Sequence, residues 1–318
     1  YGASYGTFLA QKYLQQQEAS GNQQIDGLIL DSVAALNFQA IEMASNYDLI
    51  GLRVLELCNE NEFCHQQLGG DPVLFLDNAL EKLALGNCLM AGDIENIFTV
   101  HLAKSLLDKA LTSYKDIVPG IIKMMHRCND QDQMAFAHAY KLLVEDATDD
   151  DDTNLMLMAN VISTNMHRPT MNKDELIAYK TTLKFTSNDT PFYDMADIWS
   201  LDVKPLYATL PATSTPLLIL NGGLDPQSTD DMAQQVFDDY AGAQKNIVIF
   251  PSFHHGVIVQ DSINDRTCIT NILENFMNKP MDNVDSRCAE GTFPVDVNIE
   301  GEYMKAVFKY LFGLTSPW

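Results

Sequence analysis

A serine flanked by two glycines lies near the start of the chain, in the pattern Gly2-x-Ser4-x-Gly6. This spacing is typical of a sharp turn between a strand and a helix, where the serine backbone is cramped and small flanking residues leave room for it. The stretch Phe8–Leu14 places apolar residues at helical intervals without Gly or Pro, which predicts the helix that should follow the turn. Because such a turn exposes the serine hydroxyl, Ser4 is a candidate nucleophile.

Patterns further along the chain predict an α/β fold with a parallel sheet. A helix over about residues 7–19 and a buried strand over about 27–31 form a crossover unit, and strand patterns return at 217–220 and 246–250. Between them, helical periodicity is found over residues 39–57, 72–85, 94–113, 117–125, 131–144 and 153–164. We therefore expect core segments at 1–35 and 201–318, with a large helical cap over 36–200.

An acid and a histidine follow the last two predicted strands. Asp225 comes after a Gly-Gly turn, and His254 and His255 come directly after the next strand. Because the carboxyl ends of parallel strands meet at one edge of a sheet, we expect these side chains to lie near Ser4. His255 is preferred because the adjacent Gly256 permits a close approach, and His254 is the alternative.

The order of these residues along the chain distinguishes between known serine hydrolase folds. Ser4, Asp225 and His255 appear in the order found in α/β-hydrolases, whereas the chymotrypsin and subtilisin folds use other orders. The backbone N–H of Tyr5, the residue after the nucleophile, is the expected oxyanion donor. The predicted chemistry needs no metal and no cofactor.

Composition limits the partners of the chain. Its 318 residues carry 20 Lys and Arg against 43 Asp and Glu, a formal net charge of -23, which argues against nucleic acid or an anionic membrane. No stretch approaches the roughly twenty consecutive apolar residues that would span a bilayer. The acidic block 145–152 is expected to be a solvated loop. A calcium site is the alternative, although the block lacks the spaced ligand order of a calcium loop.

The six cysteines predict disulfides. They are Cys58, Cys64, Cys88, Cys128, Cys268 and Cys288. Their even number, their polar surroundings and the absence of any Cys-x-x-Cys motif favour pairing in an oxidising compartment over metal binding. We expect pairing in sequence order. Free buried thiols in a cytosolic protein are the alternative.

Three stretches carry a family resemblance. Residues 2–7, 218–229 and 254–256 resemble those of the prolyl aminopeptidase and tripeptidyl aminopeptidase group of α/β-hydrolases. The tail, with Cys268 and Cys288, is similar to that of secreted tripeptidyl-peptidase-like members, and residues 126–132 resemble the cap of bacterial members. The resemblance implies a secreted or periplasmic exopeptidase that releases N-terminal residues or short peptides through an acyl-enzyme on Ser4.

The resemblance also implies sequence upstream of Tyr1. The strand that delivers Ser4 and a Gly-rich loop with the second oxyanion donor are not in these 318 residues. We therefore expect the C-terminal part of a longer protein, with a partial sheet, that is unstable or inactive by itself. Two alternatives stay open: a carboxylesterase or lipase-like enzyme acting on small esters with the same triad, or a non-catalytic protein of the same fold. No oligomeric state is predicted.

Overall fold

The computed structural model divides into two compact units. The residues that it describes are 1–21, 25–88, 98–142, 160–162, 166, 170–196, 212–242, 244–260, 267–290 and 294–318. The first unit comprises Tyr1–Asn46, Ser163–Arg168 and Asp202–Pro294. The second comprises Tyr47–Ile162, Pro169–Leu201 and Val295–Trp318.

Among the described residues, the first unit contains a four-stranded parallel sheet whose strand order follows the chain. Its strands are β1 (Gly2–Ala3), β2 (Leu28–Asp31), β3 (Leu217–Gly222) and β4 (Lys245–Phe250). Leu28 of β2 is paired with Leu217 of β3, which is paired in turn with Lys245 of β4. Since each neighbouring pair is parallel, the carboxyl ends of all four strands lie at one edge. The predicted α/β class with a parallel sheet is confirmed.

The helices alternate with these strands and also form the second unit. In the described residues they are α1 (Tyr5–Ser20), α2 (Met43–Glu60), α3 (Glu62–Gln67), α4 (Pro72–Ala84), α5 (Val100–Ser113), α6 (Val118–Arg127), α7 (Asp130–Tyr140), α8 (Lys173–Thr182), α9 (Pro191–Ala196), α10 (Asp230–Asp239), α11 (Thr267–Asn278), α12 (Arg287–Glu290) and α13 (Glu302–Phe312). Short 3-10 helices occupy Ala40–Glu42 and Lys115–Ile117.

Burial explains why β3 and β4 form strands. Every residue of β3 is buried, as expected for a central strand that is covered on both faces. Buried and half-buried residues alternate along β4, which indicates one well-covered face. Leu220 of β3 and Phe250 of β4 share a core cluster with Phe276 of α11. Part of the core of the first unit thus lies between the sheet and α11.

Five of the described helices of the second unit begin at polar capping residues. Asn61, Asp71, Thr99, Asn129 and Asn172 each accept a hydrogen bond from the backbone N–H three residues later. Such caps satisfy N–H groups that have no acceptor within the helix, and each contributes about 1 kcal/mol. Most of the predicted helices are confirmed within a few residues. The one predicted over 153–164 lies outside the described residues except at 160–162, and the acidic block 145–152 lies wholly outside them.

The tail of the chain differs from the sequence prediction. Residues 201–318 were expected to belong to the α/β core, but Val295–Trp318 is part of the second unit. The backbone N–H of Asp296 donates to the Asp116 carboxylate at 2.6 Å, and His138 Nε2 donates to the Tyr310 carbonyl at 3.0 Å. The buried side of α13 packs against α7, and these long-range contacts assign the tail to the helical unit.

The six cysteines pair in sequence order, as predicted. The structure contains the disulfides Cys58–Cys64, Cys88–Cys128 and Cys268–Cys288, and none of the six is free. Two of the bridges lie within the second unit and one lies within the first.

None of the helices that the structure describes is long and apolar enough to cross a lipid bilayer.

The two disulfides of the second unit close loops of different length, so we expect them to contribute differently to the free energy of unfolding. The Cys88–Cys128 bridge closes a sequence separation of 40 residues and Cys58–Cys64 one of 6. Constraining the longer loop removes more freedom from the unfolded chain, by about 4 kcal/mol against about 2 kcal/mol for the shorter one. In urea denaturation, the Cys88→Ser/Cys128→Ser double variant should therefore lose more unfolding free energy than Cys58→Ser/Cys64→Ser. Equal losses in the two double variants would contradict this.

Candidate active site

Ser4 occupies a strained turn between β1 and α1. Its backbone has φ 53° and ψ -126°, a region that residues with a side chain rarely adopt. The turn is held to the sheet because the Ser4 N–H donates to the Asp31 carbonyl oxygen at 2.9 Å. Such strain costs about 1–3 kcal/mol and is found mainly where a side chain must be presented for function. The helix predicted after the turn is present as α1, and the two residues of β1 precede the turn, although the strand that delivers Ser4 was expected to lie upstream of Tyr1.

The two glycines of the motif have different roles. A Cβ atom added at Gly2 would overlap the backbone carbonyl of Gly6, so the turn requires glycine there. A Cβ atom added at Gly6 would meet no atom within 4 Å outside its own neighbourhood. The sequence interpretation that both positions must be small is therefore too broad, because the close approach is made by Gly2 alone.

Buried polar side chains fix the start of α1. The Thr7 hydroxyl donates to the Ser4 carbonyl at 2.6 Å and accepts from the Ala34 N–H at 2.9 Å. The Gln11 amide donates to the Ala34 carbonyl at 2.7 Å. These contacts join the nucleophile turn to the loop after β2. Sequence reasoning did not assign Thr7 or Gln11 a role, because each looks like an ordinary helix residue.

Asp225 is wholly buried in the loop that follows β3. Its Oδ1 accepts the backbone N–H groups of Gln227 at 2.8 Å and Ser228 at 2.9 Å, while its Oδ2 accepts the Ser228 hydroxyl at 2.8 Å. These neutral donors hold the carboxylate in one orientation. Behind it, the buried Asn221 side chain donates to the Ser228 carbonyl at 2.9 Å and accepts the Val33 N–H at 3.0 Å.

His255 joins Asp225 to Ser4. Its Nδ1 lies 2.9 Å from Asp225 Oδ2, and its Nε2 lies 2.7 Å from Ser4 Oγ. A carboxylate only accepts hydrogen bonds, so Nδ1 carries the proton and Nε2 accepts the Ser4 hydroxyl. The structure thus brings together three residues that the sequence predicted to be close. We refer to Ser4, His255 and Asp225 as the triad.

The electrostatic surroundings of His255 stabilise its protonated form. Burial lowers the pKa of His255, but the hydrogen bond and charge of Asp225, with the charge of Asp31, outweigh burial and raise this pKa above its ordinary value. A ring with a raised pKa is a stronger proton acceptor. His255 is therefore suited to take a proton from the serine that it contacts.

The alternative histidine lies elsewhere in the same loop. His254 Nδ1 contacts the backbone carbonyl of His255 at 3.1 Å, whereas Nε2 of His255 contacts Ser4. The following Gly256 has φ 80°, and its N–H donates to the Ser32 hydroxyl at 2.8 Å. A glycine suits this left-handed backbone position, which turns the chain toward the residues after β2.

The loop that carries His255 is anchored by a residue that the sequence analysis did not single out. Asp31 Oδ1 accepts the Val257 N–H at 2.8 Å, and its Oδ2 accepts the Ile258 N–H at 3.0 Å and the Tyr1 hydroxyl at 3.0 Å. The only sequence signal was an Asp-Ser pair at the end of an apolar strand. Such a pair is usually a turn former.

Tyr5 is the first residue of α1. Its N–H belongs to the first helical turn, whose N–H groups have no acceptor within the helix. The remaining described histidines lie in the second unit, where they contact side chains or backbone of that unit: His65, His101, His126 and His138. Within the described segments, no group of three or more His, Cys, Asp or Glu side chains is placed to hold a metal ion.

No protein-family model and no curated protein matches this chain. The functional argument therefore depends on the site geometry and on the sequence motifs.

The two glycines of the turn provide a matched test of this geometry. We expect Gly2→Ala to push α1 away from the sheet, lower stability by about 1–3 kcal/mol and reduce the reaction of Ser4 with a fluorophosphonate probe. Gly6→Ala should keep that reactivity, because its Cβ meets open space and alanine is the better helix former. Urea denaturation and the labelling rate of each variant measure both effects. Similar losses in the two variants would show that the turn is not organised as described.

Proposed function

We propose that this protein is a serine hydrolase with the α/β-hydrolase fold, which cleaves its substrate through an acyl-enzyme on Ser4. The observation that carries the proposal is the continuous hydrogen-bonded chain from Ser4 Oγ through His255 to Asp225. Its support also includes the strained turn at Ser4 and the order of the triad along the chain.

In the proposed mechanism, each triad member has a role that its contacts allow. Ser4 Oγ attacks the substrate carbonyl carbon while its proton passes to Nε2 of His255, and the buried Asp225 carboxylate stabilises the imidazolium. The imidazolium then gives its proton to the leaving group, whose bond to the acyl carbon breaks. Water attacks the acyl-enzyme with His255 as the base, which releases the acid and restores Ser4.

The oxyanion of the tetrahedral intermediate needs donors near Ser4. The backbone N–H of Tyr5 is the proposed donor within this chain, because it follows the nucleophile at the start of α1. The positive end of the α1 dipole adds to this stabilisation.

We propose peptides with a free N-terminus as substrates, from which the enzyme releases N-terminal residues or short peptides. This step is supported by the resemblance of residues 2–7, 218–229 and 254–256 to prolyl and tripeptidyl aminopeptidases. The helical unit would act as the cap of that family. Three disulfides favour a secreted or periplasmic location. A carboxylesterase that uses the same triad on small esters is the competing proposal.

A fluorophosphonate probe tests the nucleophile directly. We expect the purified full-length protein, with any residues that precede Tyr1, to be labelled at Ser4, and labelling to be abolished in Ser4→Ala. The matched control is Ser20→Ala, which removes an exposed hydroxyl from the other end of α1 and should be labelled like the wild type. A folded protein that resists the probe would support a non-catalytic protein instead.

Turnover of an unblocked peptide amide, compared with turnover of a short-chain ester, distinguishes a peptidase from an esterase.

The raised pKa of His255 predicts the pH dependence of this activity. His255 must be neutral to accept the serine proton, so kcat/KM should rise with pH through the pKa of His255, at a midpoint above the ordinary histidine value of 6.5. A pH profile that is flat between 5 and 9 would contradict the role of His255.

Asp225→Asn should reduce kcat by roughly ten-thousandfold, because an amide no longer fixes the tautomer of His255 that accepts from Ser4.

A further inference from the structure

Asp31 contacts both the nucleophile turn at Ser4 and the loop that carries His255. It is the last residue of β2, which lies between β1 and β3 in the sheet. Its backbone carbonyl accepts the N–H of Ser4 at 2.9 Å. Its carboxylate accepts the backbone N–H groups of Val257 and Ile258, two and three residues after His255. One residue therefore holds the nucleophile turn through its main chain and the histidine loop through its side chain.

The carboxylate of Asp31 is wholly buried, and its donors are neutral. Besides the two backbone N–H groups, it accepts the Tyr1 hydroxyl at 3.0 Å and the Ser32 hydroxyl at 3.3 Å. Partial burial, the charge of Asp31 and the hydrogen bond to Asp31 raise the pKa of Tyr1, so this phenol remains a protonated donor throughout the working pH range. Neutral donors orient the carboxylate without cancelling its charge.

We propose that Asp31 is a second acidic positioning residue of the site, which fixes the histidine loop against the nucleophile turn and places a second carboxylate beside that loop. This inference rests on the proposed hydrolase mechanism, in which the imidazolium must form. Asp31 acts through the loop backbone and through space. Asp225, by contrast, contacts the imidazole ring itself.

The groups around His255 make this charge effect testable. Asp225 acts on the ring from the loop after β3, and Asp31 acts from the end of β2. His254 precedes it in its own loop, and Tyr1 reaches the same region through its hydrogen bond to Asp31. Both carboxylates raise the pKa of His255 against the opposing effect of burial. Removing the Asp31 charge should therefore lower that pKa while the contact with Asp225 remains.

The experiment measures the rate constant of Ser4 labelling by a fluorophosphonate between pH 5 and 9. In this reaction Ser4 Oγ forms a bond to phosphorus, the P–F bond breaks, fluoride leaves and the serine proton passes to His255. For Asp31→Asn we expect a plateau rate lower by about tenfold or more, because the loop is less firmly held, and a midpoint shifted to lower pH.

Two control variants separate positioning from charge. Ser32→Ala removes the acceptor of the Gly256 N–H and one neutral donor of the Asp31 carboxylate but removes no charge, so it should lower the plateau without shifting the midpoint to lower pH. Asp26→Asn removes an exposed carboxylate just before the other end of β2 and should change neither quantity. An unmoved midpoint in Asp31→Asn, or an equal shift in Asp26→Asn, would overturn the proposal.

Two further measurements keep the inference testable. Tyr1 is 65% exposed, so Tyr1→Phe should fold, and by removing a donor from Asp31 it should move the midpoint to higher pH. The His255 imidazole titration, followed by NMR in wild type and Asp31→Asn, reports the same shift without any labelling. If the wild-type protein resists the probe, the hydrolase proposal fails, and the NMR titration still decides the role of Asp31. No difference between the two titrations would refute that role.

Discussion

The site depends on a hydrogen bond of 2.7 Å between Ser4 Oγ and His255 Nε2, two residues that are 251 positions apart in the chain. The parallel sheet makes this contact possible, because every strand ends at the same edge. Ser4 directly follows β1, Asp31 ends β2, and the loops after β3 and β4 carry Asp225 and His255. Each strand therefore delivers one residue to the site, and shifting any strand along its neighbour would separate them.

Polar groups buried at this edge make the arrangement specific. A buried polar atom without a partner costs about 1–3 kcal/mol, so a loop that is displaced loses several such partners at once. Asn221 connects two of these loops. Its side chain accepts the Val33 N–H in the loop after β2 and donates to the Ser228 carbonyl in the loop after β3, which carries Asp225. Ser4 and Ser32 have positive φ values, and their N–H groups donate to the backbone carbonyls of Asp31 and Leu220. The backbone strain at the turn is thus offset by interactions outside the triad.

The triad could be predicted from the sequence because each member follows a recognisable strand or turn signal. Ser4 has its glycines, Asp225 follows a Gly-Gly turn, and His255 precedes a glycine after an apolar strand. Asp31 could not be predicted, because its importance comes from a contact with Val257 across 226 positions. The same reason explains the tail: α13 carries an apolar face that would suit either unit, and its contacts with α7 and with the 3-10 helix Lys115–Ile117 assign it to the helical one.

Two carboxylates with different contacts solve a problem that one alone would not. An acid that binds Nδ1 directs the imidazole ring toward the serine, but it does not fix the loop on which that ring is carried. The Asp31 carboxylate accepts backbone N–H groups of that loop. This contact therefore does not depend on which side chains stand at Val257 and Ile258. In the proposed mechanism a positive charge appears on His255 as the serine proton leaves. Two fixed negative charges on neighbouring strand ends would already be oriented toward that charge, so little reorganisation would accompany its formation.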